Sequence, residues 1–419
     1  MADLTAHQTD LAQNSIASRG WIVAFAGIGI NLALGILYAW SVFKAAIAKD
    51  FGWDPTRLND PYAVCCLVFA FAMILAGRCQ DKLGPRITAF IGGLLVSAGL
   101  LWVSTTTSYT VWVLGFGVLA GTGIGFGYSS ATPPALKWFP PARTGLIAGL
   151  VVAGFGLASV YIAPLSDYLL GHYGVLGAMR FYGIVFAIAV CGLSLLLINP
   201  PAGYVAASAT TKKKAAAAAI TATPGQMLRT RTFYVLWAMY FIGAGAGLMV
   251  IGSVSGMAKK SMGDWAYVAV GVLAIGNAAG RIVAGILSDR IGRRWTLMIV
   301  LACQAVLMFL AIPVTGSQDM PAVVIVLIAT LIGFNYGANL SLFPSFTKDL
   351  WGLKSFGVNY GLVFTAWGMG GFVLPRLQQM LQSRSGSYAS SFMTAGGLLL
   401  IGALMTFLLA PARPKSAAA

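Results

Sequence analysis

The sequence predicts an all-α integral membrane protein of twelve spanning helices, built as two related six-helix halves, and three observations carry that prediction. Of 419 residues, 58% are hydrophobic and only 9% charged, with a mean hydropathy of +0.82. A soluble domain carries about 25% charged residues, and no water-exposed fold could hide so much apolar surface. Apolar runs near the ~20 residues that a bilayer core requires recur along the whole chain. Finally, a ten-residue phrase appears twice: Gly77-Arg78-Cys79-Gln80-Asp81-Lys82-Leu83-Gly84-Pro85-Arg86 is echoed by Gly285-Ile286-Leu287-Ser288-Asp289-Arg290-Ile291-Gly292-Arg293-Arg294. Each copy follows an apolar run, so the chain reads as a duplicated half.

Taken in order, the spans read as Trp21–Phe43, Pro61–Gly77, Ile87–Thr107, Val111–Pro133, Thr144–Leu170 and Phe181–Ile198, then Phe233–Met257, Ala266–Leu287, Trp295–Thr315, Ala322–Phe343, Phe356–Pro375 and Ser390–Leu409. The organisation that follows is a polar N-terminal tail (1–20), an N-terminal half (21–199), a linker (200–231), a C-terminal half (232–411) and a short C-terminal tail (412–419). The tail 1–20 has no cleavable signal pattern, so the first span is expected to remain as an anchor. The linker contains Thr211-Lys212-Lys213-Lys214 followed by five alanines, too little apolar bulk to fold against anything. About two-thirds of the 27 lysines and arginines fall in one set of alternate loops and the tails. Cytoplasmic loops carry that excess, which predicts both termini in the cytoplasm of a cell membrane, the inner membrane in a bacterium.

Composition also excludes functions. The net charge of +16 is dispersed over loops with no clustered reading face, so nucleic acid is not an expected partner. Cys65, Cys66, Cys79, Cys191 and Cys303 lack metal-ligand spacing and read as buried small residues; no metal or cofactor is expected. His7 and His172 fall in a tail and an outer loop, and no hydrolytic constellation occurs in the spans, so an enzyme is not expected. Gly121-Thr122-Gly123-Ile124-Gly125-Phe126-Gly127 mimics a nucleotide loop but lacks the preceding strand and the following lysine. Gly117, Gly121 and Gly125 instead repeat at four-residue spacing, a stripe for close helix packing.

The duplicated decapeptide resembles the G-x-x-x-D-[RK]-x-G-[RP]-R turn found between helices 2 and 3, and again between helices 8 and 9, of the major facilitator superfamily. Glycine permits the bend, and the aspartate caps a helix start and pairs with cations. The resemblance implies a major facilitator fold and a role in conformational switching for Gly77, Asp81 and Arg86 and for Gly285, Asp289 and Arg293. Further fragments resemble the monocarboxylate transporter and oxalate/formate antiporter branch. These are Trp138-Phe139-Pro140-Pro141-Ala142-Arg143 running into Ala148-Gly149 and Gly154-Phe155-Gly156, Tyr38-Ala39-Trp40-Ser41, and Asn359-Tyr360-Gly361.

Arg281 stands out on physical grounds alone. It is the one cation well inside a predicted span, about six residues from the end of span 8. Placing it there costs roughly 2.5–3.5 kcal/mol, and a guanidinium does not shed its proton. Asn277 and Ala284 share its helix face, a small, polar face expected to line a water-filled cavity. The chain has no glutamate, and of its 11 aspartates only Asp167 approaches a span interior, so Arg281 has no fixed counter-ion at its depth. A structural arginine satisfied by helix carbonyls or by a carboxylate from another span is the alternative; a substrate carboxylate, held bidentately, would supply the missing charge. Tyr38, Tyr128, Asn335, Asn339, Tyr360, Phe364 and Trp367 are the polar-tipped or flat residues available nearby as substrate contacts, with Tyr128, Asn277 and Asn339 favoured because buried polar groups need partners.

In the monocarboxylate branch, the helix 8 arginine follows by one turn an aspartate tied to proton coupling; here that position is Asn277, which does not titrate. Exchangers of oxalate and formate carry a lysine on helix 11 where this chain has Trp367. One buried cation suits a monoanion. The resulting expectation is a monomeric carrier of small monocarboxylates, of lactate or pyruvate type, working by alternating access. Proton linkage is expected from the branch, exchange being the other mode, and an oxalate/formate-type exchanger is the alternative. A receptor of the same fold would be expected to bear an added soluble domain.

Overall fold

In the computed structural model, residues 19–54, 57–201, 204, 221–262, 266–316, 321–385 and 387–409 are described. The two tails, apart from Arg19 and Gly20, and most of the linker therefore lie outside the described residues. Within them the chain forms twelve long helices. α1 is Arg19–Ala39, continued past a tight turn at Gly35–Ala39 by Trp40–Phe51. α2 is Asp60–Leu83, α3 Pro85–Val103 and α4 Tyr109–Trp138, the last with a wide-wound segment at Val113–Ala120. α5 and α6 share the run Thr144–Ser194, divided at Gly174, whose φ of 66° breaks the helical path. α7 is Arg231–Met262, α8 Ala266–Ile291, α9 Arg293–Gly316, α10 Ala322–Trp351, α11 Phe356–Ser385 and α12 Ala389–Met405.

Of the twelve, α11 is the least apolar and is missing among the helices that length and hydropathy alone mark as spans. Its glycines together with Asn359, Tyr360 and Trp367 dilute its hydropathy, and these are residues that face the protein interior: all three of the named side chains are buried. Large apolar side chains such as Phe25, Leu75, Ile188, Val323 and Leu404 point outward instead, as a surface solvated by lipid requires.

The duplication in sequence is a duplication in backbone. α2 ends at Gly84 with φ 87° and α8 at Gly292 with φ 91°, a left-handed conformation that costs glycine nothing. Gly84 N–H donates to Gln80 and Gly292 N–H to Ser288, both at 3.1 Å, while Thr88 and Thr296 each return their hydroxyl to the turn glycine, at 2.8 and 2.9 Å. The helix that leads into each turn then packs on the fifth helix of the other half, α2 on α11 and α8 on α5. The predicted glycine stripe on α4 does pack, Gly121 lying against the Cys65 backbone and Gly125 against Phe69 on α2.

The two halves meet tightly on the side that bears the turns. There Gly77 abuts Gly357, and Gly145 abuts Gly285, so closely that a Cβ at any of them would collide with backbone opposite. Asp81 accepts from the N–H groups of Gly357 and Val358, 3.0 and 3.2 Å, at the start of α11. Asp289 accepts from Gly145 and Leu146, 2.9 and 3.0 Å, at the start of α5. A carboxylate at a helix N-terminus meets unpaired amides and the positive end of the helix dipole. Among the described residues, only the second contact is reinforced by an ion-pair chain: Arg293 reaches Asp289 at 2.6 Å and Asp349 at 2.9 Å, and Lys348 Nζ donates to Thr144. Arg86, by contrast, is exposed and stands outside the Asp81 contact.

Candidate functional site

Arg281 lies ten residues before the end of α8, one turn deeper than the sequence boundary indicates, because the helix runs on to Ile291. At 1.5 Å per residue that places it about 15 Å in, near the middle of a ~30 Å core. It is completely buried. Its Nε donates to Asn277 Oδ1 at 2.9 Å, one amino group donates to the Val152 carbonyl on α5, and the other points to the Tyr38 hydroxyl at 3.5 Å. The chain thus satisfies part of the guanidinium's hydrogen-bonding, as the structural alternative supposed, but not its charge. Among the described residues the ion pairs are those of Arg293, and no carboxylate reaches Arg281. A buried ion without a counter-charge costs several kcal/mol.

The expectation that Asn277, Arg281 and Ala284 line a water-filled cavity needs correction. A Cβ on Gly156 of α5 would touch both the Arg281 guanidinium and Asn277 Oδ1 at 3.2–3.3 Å, and Gly337 of α10 presses on the Asn277 backbone. The two glycines let neighbouring helices close over this face, so Asn277 and Ala284 are packed and only the tip of Arg281 emerges. It points into an enclosure walled by Tyr38, Phe69, Tyr128, Phe155, Leu340, Phe364 and Trp367, packed so closely in this state that a water molecule does not fit between the rings.

That wall is a continuous aromatic shell. Phe364 stacks on Trp367 with centroids 5.0 Å apart, Phe69 lies 5.1–5.3 Å from both, and Phe155 meets Tyr38 and Tyr128 edge-on at 5.2 and 5.4 Å. Tyr336, on α10, ties the shell together. Its hydroxyl accepts from Trp367 Nε1 at 2.9 Å and lies 2.8 Å from the Tyr38 hydroxyl. In the Tyr336–Tyr38 pair either hydroxyl can be the donor, and when Tyr336 donates the Tyr38 proton is left free to turn into the enclosure.

Of the residues singled out by sequence, the structure brings Arg281, Tyr38, Tyr128, Phe364 and Trp367 together and sets Asn277 behind the arginine. Asn335 and Asn339 are elsewhere. Asn339 faces Gln304 on α9 at 3.4 Å, and Asn335 donates to its own helix at Leu331. Leu340 and Tyr336, next to them in sequence, present the cavity side of α10. Tyr360 is fully buried beyond Phe364, 5.7 Å from it between ring centres. Sequence reasoning missed Tyr336, Phe69 and Phe155. A signal existed for the first: Asn335-Tyr336-Gly337 on α10 repeats the Asn359-Tyr360-Gly361 of α11.

A family model described as Major Facilitator Superfamily matches residues 20–375 and 260–419. The chain belongs to this superfamily. It is accordingly a multi-pass membrane transporter, with no feature pointing to catalysis. Within the superfamily it is 28% identical over 367 residues to the oxalate:formate antiporter of Oxalobacter formigenes, covering 86% of this chain and 84% of that one. It is 25% identical over 409 residues to human monocarboxylate transporter 11, covering 94% and 84% respectively. Among solved structures it superposes on a single-residue variant of the fucose:proton symporter FucP of E. coli with a TM-score of 0.64 at 14% identity, covering 90% of this chain and 98% of FucP; that likeness speaks to the fold alone.

Proposed function

We propose that this transporter carries small monocarboxylates of the lactate and pyruvate type by alternating access, with Arg281 as the anion anchor. The observation that carries the reading is a wholly buried guanidinium whose charge has no partner among the described residues and whose tip faces an aromatic enclosure that is closed in this state. A carboxylate there would take paired donation from Arg281 and, with Tyr336 donating to Tyr38, a further hydrogen bond from the Tyr38 hydroxyl, while Phe364 and Trp367 cover a flat carbon skeleton. Arg281 is the one charged residue in the lining, which suits one negative charge; Trp367 occupies the place where a second cation would serve a dianion.

With the superfamily's cytoplasmic orientation, the state described is closed toward the cytoplasm through the Asp81 and Asp289 contacts, and these are the switching contacts. The lining holds no carboxyl or imidazole group, so the geometry favours exchange of one carboxylate for another over the proton linkage that the branch resemblance implies. A relative named as an oxalate:formate antiporter keeps oxalate in view as a competing substrate. Uptake of labelled lactate and oxalate into proteoliposomes tests the reading: saturable lactate uptake outcompeting oxalate is expected, and a preference for oxalate would replace the monocarboxylate assignment.

A further inference from the structure

The contacts between the halves converge on one corner of the C-terminal half. The end of α10 supplies Asp349, which pairs with Arg293 beside Asp289, and Lys348, which donates across the interface to Thr144 on α5. The start of α11, beyond a turn at Gly352 whose φ is 79°, supplies the Gly357 and Val358 amides that donate to Asp81. Parts of both switching contacts, one on the α5–α8 seam and one on the α2–α11 seam, thus sit on a single short stretch between Lys348 and Val358. A corner that moves as one piece makes the two contacts break together; a corner that bends lets them break separately.

The linker reaches that corner and fastens it. Ala222 N–H donates to the Trp351 carbonyl at 3.0 Å, and the Ala222 carbonyl accepts from Asn359 Nδ2 at 3.0 Å. The first bond fills a carbonyl that α10 leaves open at its own C-terminus; the second comes from a wholly buried side chain, where a lost partner is costly. One residue of the linker therefore ties the last residue of α10 to the first turn of α11. Ala222 is itself held from behind. Thr223 caps the short helix Pro224–Leu228, exchanging hydrogen bonds with Gln226 at 3.3 and 2.9 Å, and Met227 of that helix is fully buried. The other end of the linker is fastened to the N-terminal half: the Tyr204 hydroxyl donates to the Trp138 carbonyl at 3.2 Å, and Lys137 donates to Asn199 at 3.1 Å. Each end is bonded within its own half, so these bonds set the shape of each side rather than hold the halves together.

We propose that Ala222 and Asn359 form a clasp through which the linker stiffens the α10–α11 corner and so couples the two switching contacts. Asn359 is then a positioning residue for the gate, and the end of the linker a working part of it. With the clasp closed, a loss at Asp81 is felt at Asp289. With the clasp open, the α2–α11 seam, which has no ion-pair chain among the described residues, yields alone. The inference rests on reading the Asp81 and Asp289 contacts as those that open and close, and adds what makes them act as one.

The test is a coupling measurement on the full chain in lipid nanodiscs, and it needs no substrate. Spin labels report two distances on the turn face, between the ends of α2 and α11 and between the ends of α5 and α8, each read as the fraction of molecules at the longer distance. Asp81→Asn loosens the first seam. In the otherwise wild-type chain it should raise the long-distance fraction at both seams by about threefold or more. Ala222→Pro removes the N–H that serves Trp351, and Asn359→Leu removes the donor to Ala222. In either background Asp81→Asn should raise the fraction at the α2–α11 seam alone, leaving α5–α8 within about 1.5-fold of its value without Asp81→Asn. A rise at both seams in the clasp variants would overturn the clasp, as would a rise at α2–α11 alone in the otherwise wild-type chain. An effect of Asn359→Leu that Ala222→Pro does not share would also overturn it, because it would belong to α11 and not to the linker. Where one variant fails to fold, the other decides; loss of the fold in both would make the segment a condition of folding rather than of switching, and the proposal would fall. If Asp81→Asn moves neither distance in the otherwise wild-type chain, the reading of Asp81 as a closing contact fails, and the clasp with it.

Discussion

Replacing Asn277 by aspartate should convert the coupling of this carrier. In the structure Asn277 Oδ1 already accepts from Arg281 Nε at 2.9 Å, and both side chains are buried, so Asn277→Asp places a carboxylate beside the guanidinium with no repacking. With charge centres about 4 Å apart and an effective dielectric of about 20, the attraction is about 4 kcal/mol. Burying the new charge takes back roughly half of that, leaving about 2 kcal/mol of relief for the empty carrier. At about 1.4 kcal/mol per tenfold, the empty return should quicken by about 30-fold. Wild-type vesicles loaded with lactate should exchange at least tenfold faster than they release lactate into substrate-free medium, because the unloaded Arg281 must pass through closure unpaired; in Asn277→Asp that ratio should shrink toward one. The sign with pH follows. The introduced carboxylate is ionised and paired in the empty carrier, and substrate anion displaces it from Arg281, which favours its protonation. Binding then takes up a proton, and apparent affinity falls as pH rises through the group's pKa in the loaded state. Equal exchange and net efflux in wild-type vesicles would refute the account of the unpaired arginine outright.

Arg281→Lys should cut transport by at least a hundredfold with the fold intact, since lysine offers a point charge in place of a planar fork and cannot serve Asn277, Val152 and a carboxylate together; wild-type affinity in that variant would sink the anchor. Asp81→Asn should slow turnover about tenfold while changing binding affinity by less than twofold, because it weakens charge-assisted bonds to Gly357 and Val358 far from the aromatic space. An affinity loss like that of the arginine variant would show Asp81 misplaced. Gly285→Val should hold the halves apart on the turn face, since its side chain would run into the Gly145 carbonyl. Spin labels on the ends of α5 and α8 should then report a longer mean distance, and an unchanged distance would mean that the glycine pair does not set closure.

The composition, the twelve apolar runs and the duplicated turn determined the membrane fold by themselves, because the lipid phase forces apolar, internally bonded helices on a spanning chain and the repeated turn marks where the two halves correspond. They also exposed Arg281, since a charge in an apolar run is conspicuous without any neighbour being known. What surrounds that charge was decided by tertiary contact. Asn335 and Asn339 differ from Tyr336 and Leu340 by one residue, yet α10 turns the first pair toward its own helix and α9 and the second pair toward the cavity, because a step of one residue rotates a helical side chain by about 100°. Phe69 and Phe155 carried no local mark at all: an aromatic residue in a spanning helix looks alike whether it meets lipid, core or a binding space. Gly156 and Gly337 read only as small residues, and their closing over Asn277, which turned an expected open face into a packed one, depended on two helices from distant parts of the chain. Sequence periodicity reports which face of a helix is apolar; only the packing of the other helices decides what that face meets.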